Sequence, residues 1–375
     1  MRATRTLALL AAGALLPAAA AGCGGDDRPA ASGGAIAVTS TDGGCEIART
    51  DAPAGTVVFS VANKGAKVTE FYVLAGADKV AGEVENIAPG LTRELRVELA
   101  AGAYQTACKP GMVGDGIRGA FTVTAAGAGP AVDPELTAAV ARYRAYVKGQ
   151  TAALLTLTTQ FVAAVKGGRI TEAKALFPKA REPWERIEPV AEIFGDLDPR
   201  IDAREADLEP GQAFTGFHKL EKDLWVTKSV AGSGPTADQL MADIKEIAAK
   251  AEAEALTPLQ LANGAKELLD EVATGKITGE EDFFSHTDLW DFKANLDGSR
   301  AAVEALRPVL VARDPALVAQ LDAAFAAASA ALDRHRAGTG WKLHNQLTKA
   351  DLKLLSDAIN SLGEPVSRVA AAVSR

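Results

Sequence analysis

The hydrophobic period of this chain changes once, near Thr124, and that change limits the fold more than any other feature. Before it, apolar and β-branched residues come in short runs. These are Ala35–Thr39, Thr56–Ala62, Val68–Leu74, Val80–Asn86, Thr92–Leu99, Ala103–Ala107 and Ile117–Thr124. Asn, Gly, Pro and Asp punctuate them roughly every ten residues, the pattern of an antiparallel sandwich. After Pro130 the sequence is alanine-rich with a helical period, over about 134–166, 171–194, 213–229, 236–255, 258–274, 286–311, 315–337 and 348–374. Asp133-Pro134, Thr257-Pro258 and Asp314-Pro315 have the form of a helix cap followed by a first turn. The expected fold class is β + α multidomain: a β-sandwich over 35–125 and an all-α bundle over 131–375, joined by an Ala/Gly linker.

Residues 1–23 read as a targeting segment. Arg2 and Arg5 precede an apolar run from Leu7 to Ala21 that is short for a membrane span. The run ends in Ala20-Ala21-Gly22-Cys23, the pattern of a lipobox in which Cys23 is lipidated and becomes the mature N-terminus. An ordinary cleaved signal peptide is the alternative. Residues 24–34 then form a flexible tether of Gly, Asp, Ser, Pro and Ala. The expected location is outside the cytoplasm, lipid-anchored to the outer face of the membrane, with no second apolar stretch of spanning length. A net charge of −8 gives no footprint for nucleic acid, whose binders are basic.

The remaining cysteines, Cys45 and Cys108, lie in the β part. In an exported chain such a pair is most often a disulfide. A site built from Cys45, Cys108, Met112 and a carboxylate such as Glu70 is the rival. Cys108-Lys-Pro-Gly-Met112 resembles the Cys…Met end of a blue-copper loop, but that centre needs two His, and no His precedes His218.

In the helical part, Ala213-Phe-Thr-Gly-Phe-His-Lys-Leu-Glu-Lys-Asp-Leu-Trp225 sets Glu221 three residues after His218. That spacing puts both on one helical face, with Phe214 and Trp225 expected beside them. An imidazole and a carboxylate buried among aromatics need a partner. A divalent cation is one, and a plain His–Glu hydrogen bond is the other. Upstream, Glu182, Glu185, Glu188 and Glu192 recur at spacings of three and four, which by itself describes a solvated face as readily as a ligand row.

Longer stretches carry a resemblance. Ala180-Arg-Glu-Pro-Trp-Glu-Arg-Ile-Glu-Pro-Val-Ala-Glu-Ile-Phe-Gly-Asp-Leu-Asp-Pro199, Ile201-Asp-Ala-Arg204, Gly216 to Trp225 and Ser285 to Asn295 resemble the imelysin-like domain of the EfeO family of bacterial iron-uptake proteins. Val68 to Leu74, Gly82 to Gly90 and Thr106 to Gly114 resemble that family's cupredoxin-like domain. The resemblance implies a cupredoxin-like sandwich and an imelysin-like bundle in an extracytoplasmic iron-binding component. It also implies partners, an EfeU-type permease and an EfeB-type haem peroxidase. By motif match His218 and Glu221 are the implied ligands for iron, Fe(II) or Fe(III), with Glu185 from a neighbouring helix. Cys45, Glu70 and Cys108 are an implied second site. A carboxylate-rich site with one imidazole accepts copper or zinc as well as iron. Trp184 and Phe284 depart from the family pattern, where tyrosine is expected. His286 to Asp291 echoes the first motif and is expected to pack and to cap, through Ser285 or Thr287. The rival class is a metal-dependent peptidase of the imelysin type. Against it, His218 has no second His four residues away, and a zinc hydrolase wants three protein ligands.

Overall fold

A computed structural model describes residues 34–76, 79–126, 133–195, 197–208 and 210–375. The expected leader, lipobox, tether and Ala/Gly linker at 127–130 lie outside the described residues, apart from Gly34 at the end of the tether.

The first half is a two-sheet sandwich. Its strands are β1 (Ile36–Thr41), β2 (Gly44–Ile47), β3 (Asp51–Pro53), β4 (Gly55–Asn63), β5 (Thr69–Ala75), β6 (Lys79–Ile87), β7 (Thr92–Leu99), β8 (Gly102–Cys108) and β9 (Ile117–Thr124). One sheet has the order β2-β1-β4-β7 and the other β3-β9-β8-β5-β6. Pairing is not antiparallel throughout: β1 runs parallel to β4 and β3 parallel to β9. Strands β2 and β3 escape the period-two reading because they are short and polar. Alternation sends Phe59, Phe71 and Phe121 inward, with ring centroids 5.2 and 5.3 Å apart around Phe59. Cys45 on β2 and Cys108 at the end of β8 join the two sheets through a disulfide, Cα atoms 5.6 Å apart.

The second half is helical: α1 (Pro134–Lys166), α2 (Ile170–Glu185), α3 (Glu188–Ala191), α4 (Asp198–Asp202), α5 (Gly216–Lys222), α6 (Gly234–Ala253), α7 (Pro258–Glu271), α8 (Asp288–Arg313), α9 (Pro315–Asp333), α10 (Lys349–Ser367) and α11 (Val369–Val373). The three sequence starts hold: Asp133 accepts from the Glu135 amide, Thr257 forms a reciprocal cap with Gln260, and Asp314 accepts from the Leu317 amide. The expected helix over 171–194 is broken, because Pro189 has no amide hydrogen and Ile187 leaves helical geometry ahead of it. α9 is long and apolar enough to cross a membrane, contrary to the sequence reading. It is a bundle helix whose Leu317, Leu321, Phe325, Ala328 and Leu332 are buried in the core.

Strands β6 and β7, one from each sheet, meet the bundle. Lys79 pairs with Glu254 at 2.7 Å, Arg93 with Asp270 at 3.1 Å, and the Asn263 side chain donates to the Arg96 carbonyl.

Candidate metal centre

Gly216 opens α5 with φ 75°, and a Cβ there would lie 2.0 Å from the Ile201 carbonyl oxygen. Glycine alone permits that approach. The close seat sets Asp202, at the end of α4, against His218 in α5. The His218 Nε2 atom lies 3.4 Å from Asp202 Oδ1 and 3.4 Å from Glu281 Oε1. Its Nδ1 is 3.0 Å from Glu221 Oε2. The other Glu221 oxygen accepts from the backbone amides of Phe284 at 3.0 Å and Ser285 at 2.6 Å. The segment after a π-helical turn at Val272–Lys276 supplies Glu281, Asp282 and those amides, and it closes onto α8 through His286 at φ 62°.

Beside this pair lies a larger charged cluster. α2 contributes Arg181 and Glu185, one turn apart, and α8 contributes Asp288, Asp291 and Asn295. Eight carboxylates are buried here: Glu185, Glu188, Asp202, Glu221, Glu281, Asp282, Asp288 and Asp291. Two buried side chains, Arg181 and Lys276, carry permanent positive charge among them. Arg181 bonds to Glu185 and Asp202, and lies 2.7 Å from Glu281, 3.4 Å from Asp282 and 3.2 Å from Asp291. The Lys276 ammonium is 3.4 Å from Glu185, 3.5 Å from Glu188, 3.3 Å from Glu271 and 3.7 Å from Glu281.

The structure brings together His218 and Glu221 as the motif implies, but their surroundings differ from the expectation. Phe214 precedes α5, and a second π turn at Asp223–Thr227 shifts the phase of Trp225. The aromatic cluster is instead Phe161, Phe177, Phe217 and Trp225, and the His–Glu face looks onto carboxylates. Glu185 reaches the same cluster, with its oxygens taken by Arg181, Lys276 and the Asn295 amide. Of the carboxylate row, Glu185 and Glu188 are buried while Glu182 faces Arg186 at the surface. The His286 to Asp291 stretch does more than pack. Its Asp288 and Asp291 join the cluster, and Thr287 donates to Asp282 rather than capping α8 through its side chain. Trp184, at one of the departures, donates to Asp202 at 2.7 Å.

Sequence reasoning missed Arg181, Asp202, Lys276, Glu281, Asp282 and Asp291 as members of the centre. The second implied site does not form as a thiolate site, because both sulfurs are bonded to each other 2.02 Å apart. Phe71 pairs with Cys108 across the strands, so alternation turns Glu70 to the opposite face, where it accepts from the Tyr72 hydroxyl at 2.9 Å. Met112 is exposed in the loop after β8.

Burial and Arg181 push the His218 pKa down, but the Glu221, Glu281 and Asp202 carboxylates facing it outweigh them and lift it well above its ordinary value. Burial lifts Glu185 to about 8 against the pull of Lys276 and Arg181. It lifts Asp282 and Asp291 likewise. For Glu281 burial is overruled by Lys276, His218 and Arg181, and its carboxyl falls well below the usual range. Without a metal the centre therefore holds protons that a cation must displace.

A cavity of about 370 Å³ leads to His218, Glu221 and Glu281 past Arg204, Glu205, Asp207, Glu280 and the Phe283–Phe284 pair. Several buried polar atoms have no hydrogen-bond partner: His218 Nε2, Asp282 Oδ1 and Asp291 Oδ1. Asp202, His218 and Glu281 bring three donor atoms within 4.8 Å of one another, as do His218, Glu221 and Asp282. One imidazole with hard carboxylate oxygens suits a first-row divalent ion. Among the described groups of this kind none contains a second histidine.

Residues 139–369 match the imelysin family, and residues 6–123 match the cupredoxin-like domain family. The "Iron uptake system component EfeO" of Escherichia coli O157:H7 is 39% identical over 343 residues, covering 89% of this chain and 90% of the relative. Proteins of the same description from Escherichia coli strain K12 and Shigella flexneri are each 38% identical over the same coverage.

Proposed function

Because the chain belongs to the EfeO family, we propose that it is the iron-binding component of an iron uptake system in the cell envelope, taking its cargo at His218 and Glu221. The observation that carries this reading is the buried charge. Eight carboxylates surround two permanent cations, and the His218 Nε2 atom points into the cluster without a hydrogen-bond partner. Burying that much negative charge is stable only when protons or metal ions make up the difference. His218 and Glu221 are the first ligands in this reading, with Asp282 in the same group of three, while Asp202 and Glu281 form a separate group with His218 on its Nε2 side. Glu185 belongs to the cluster from α2, but Arg181 stands on one of its oxygens and Lys276 on the other. The protein carries iron and passes it to an EfeU-type permease, beside an EfeB-type haem peroxidase, from a lipid anchor at Cys23. It acts without catalysis.

Anaerobic calorimetric titration of the purified chain with Fe(II) tests the site. Glu221→Gln and His218→Ala should each weaken binding more than tenfold, since even residues behind the ligands are worth about 10–100-fold. Unchanged stoichiometry and affinity in the double variant would sink the site. Cleavage of a peptide by the wild type, lost in that variant, would restore the peptidase reading.

A further inference from the structure

The segment from Ile277 to His286 brings three things to the centre. It carries the Glu281 and Asp282 carboxylates, the Phe284 and Ser285 amides that hold Glu221, and the Phe283–Phe284 wall of the cavity. It lies between the π turn and α8 and belongs to no helix or strand. One residue from far along the chain, His344, meets both of its ends. The His344 backbone amide donates to the His286 carbonyl at 2.8 Å, and its Nε2 lies 3.0 Å from the Ile277 carbonyl. A carbonyl oxygen only accepts, so Nε2 carries the hydrogen and donates. Gly279, at φ 80°, makes room for the ring: a Cβ there would lie 2.4 Å from His344 Nδ1. His344 is itself well seated. Its turn is closed by the Gln346 side chain, which accepts from the Leu343 amide at 3.1 Å. The strand pair before it rests on α8, with Trp341 buried and Gly340 against the Trp290 ring.

We propose that His344 is a positioning residue of the metal centre, a clasp across the ends of the 277–286 segment that holds its carboxylates and its two amides where His218 and Glu221 need them. The inference rests on the reading that His218 and its neighbours bind metal. His344 bonds to the segment through carbonyl oxygens, so it lends no ligand atom and acts through geometry alone. A stretch without regular structure is where a fold opens at least cost. If the segment opens in the metal-free chain, the binding-competent fraction falls and the apparent affinity falls with it. Glu221 is the ligand most exposed to that loss, because both amides on its Oε1 atom come from the segment. The backbone half of the clasp survives any substitution at 344, so side-chain variants test the imidazole half.

The full chain gives the test, through Mn(II) titration and through amide hydrogen exchange of the metal-free protein read by peptide mass spectrometry. His344→Ala should weaken Mn(II) binding roughly tenfold, the scale of residues that orient ligands without touching the ion. Its exchange should quicken over 277–288 and stay as in the wild type elsewhere in the helical half. His344→Gln should restore both, because the Gln amide nitrogen stands as many bonds from Cβ as Nε2 and can donate to the same carbonyl. Should His344→Ala not fold, His344→Asn takes its place, since that amide is one bond too short to reach Ile277. Unchanged affinity in the folded short variant would overturn the proposal. So would a His344→Gln that binds as weakly as the short variant, or exchange that quickens throughout the helical half, the mark of a merely structural residue. A wild type that binds no Mn(II) would remove the metal-binding reading itself, and the exchange comparison would still decide whether His344 holds the segment.

Discussion

In the sandwich, Cys45 and Cys108 are bonded to each other behind the Phe59–Phe71–Phe121 cluster, whereas in the helical half His218 lies among eight buried carboxylates and two cations. Both regions contain residue types that bind metals. In the first the donors have spent their lone reactive groups on each other, and what surrounds them is apolar. In the second the donors outnumber their protein partners, and atoms such as Asp288 Oδ2 and Asp291 Oδ1 are left over. A metal-ligand residue type says little until its partners are counted. The contrast predicts that the sandwich is held by covalent and apolar contacts indifferent to metal, and the helical centre by charge that responds to metal and to protons.

The largest expected effect breaks the covalent side. Replacing both cysteines, Cys45→Ala with Cys108→Ala, opens a loop with a sequence separation of 63. That should cost the sandwich about 4 kcal/mol. Metal binding should not change. All four tryptophans, Trp184, Trp225, Trp290 and Trp341, lie in the helical half, so their fluorescence follows that half while calorimetry follows the whole chain. A lower first transition by calorimetry with an unchanged tryptophan melt is expected. Loss of a bound metal ion in this variant would show that the sulfurs take part in a site.

Next is the pH response of the charged side. Glu185 rises to about 8 through burial, and Asp282 and Asp291 rise for the same cause. His218 is raised as well, its carboxylate partners overcoming burial. A group whose pKa is higher folded than unfolded stabilises the fold below its unfolded value, and that stability is lost as pH rises through the folded value. Glu281, held low, acts only in acid. The metal-free tryptophan melt should therefore fall between pH 6 and 8.5, by roughly 5 °C or more if about 2 kcal/mol is lost. Mn(II) should abolish the fall, because the ion replaces the protons. Glu83 in the sandwich is also lifted to about 8 by burial, so the calorimetric transition of that half should keep its pH dependence with metal present. A tryptophan melt equally steep with and without Mn(II) would contradict the assignment of charge as the helical half's support.

How much of this was legible in the sequence follows the same division. Period-two runs and capped helical starts located the sandwich and most of the bundle, because each depends on neighbours within a few residues. His218 and Glu221 were legible for the same reason. The rest of the centre was not. Arg181 and Glu185 are four apart and buried, while Glu182 and Arg186, one position along, are four apart and form a surface pair. Spacing is identical in the two pairs, and only the packing of α4, α5 and α8 over one of them decides which is inside. Asp202, Lys276 and Glu281 come from a short helix, a π turn and an irregular segment, none of which has a period to read. The parallel pairing of β1 with β4 was hidden likewise, since strand alternation is blind to direction.

The smallest effect sharpens the comparison at the seam between the halves. Arg93 on β7 and Asp270 on α7 pair at 3.1 Å, with the arginine side chain 32% exposed. Asp270 also holds Lys266, so loss of Arg93 does not strand an unpaired acid. A half-exposed pair of this kind is worth about 0–1 kcal/mol and is screened by salt. Arg93→Ala should therefore lower both transitions by no more than about that amount, and 0.5 M salt should shrink the difference further. The Asn263 bond to the Arg96 carbonyl and the apolar contacts of β6 and β7 with α7 would carry the seam. If Arg93→Ala instead cost as much as the disulfide, the seam would be electrostatic like the metal centre, and the division between a half held by covalent and apolar contacts and a half held by charge would have to be drawn inside the sandwich rather than at its edge.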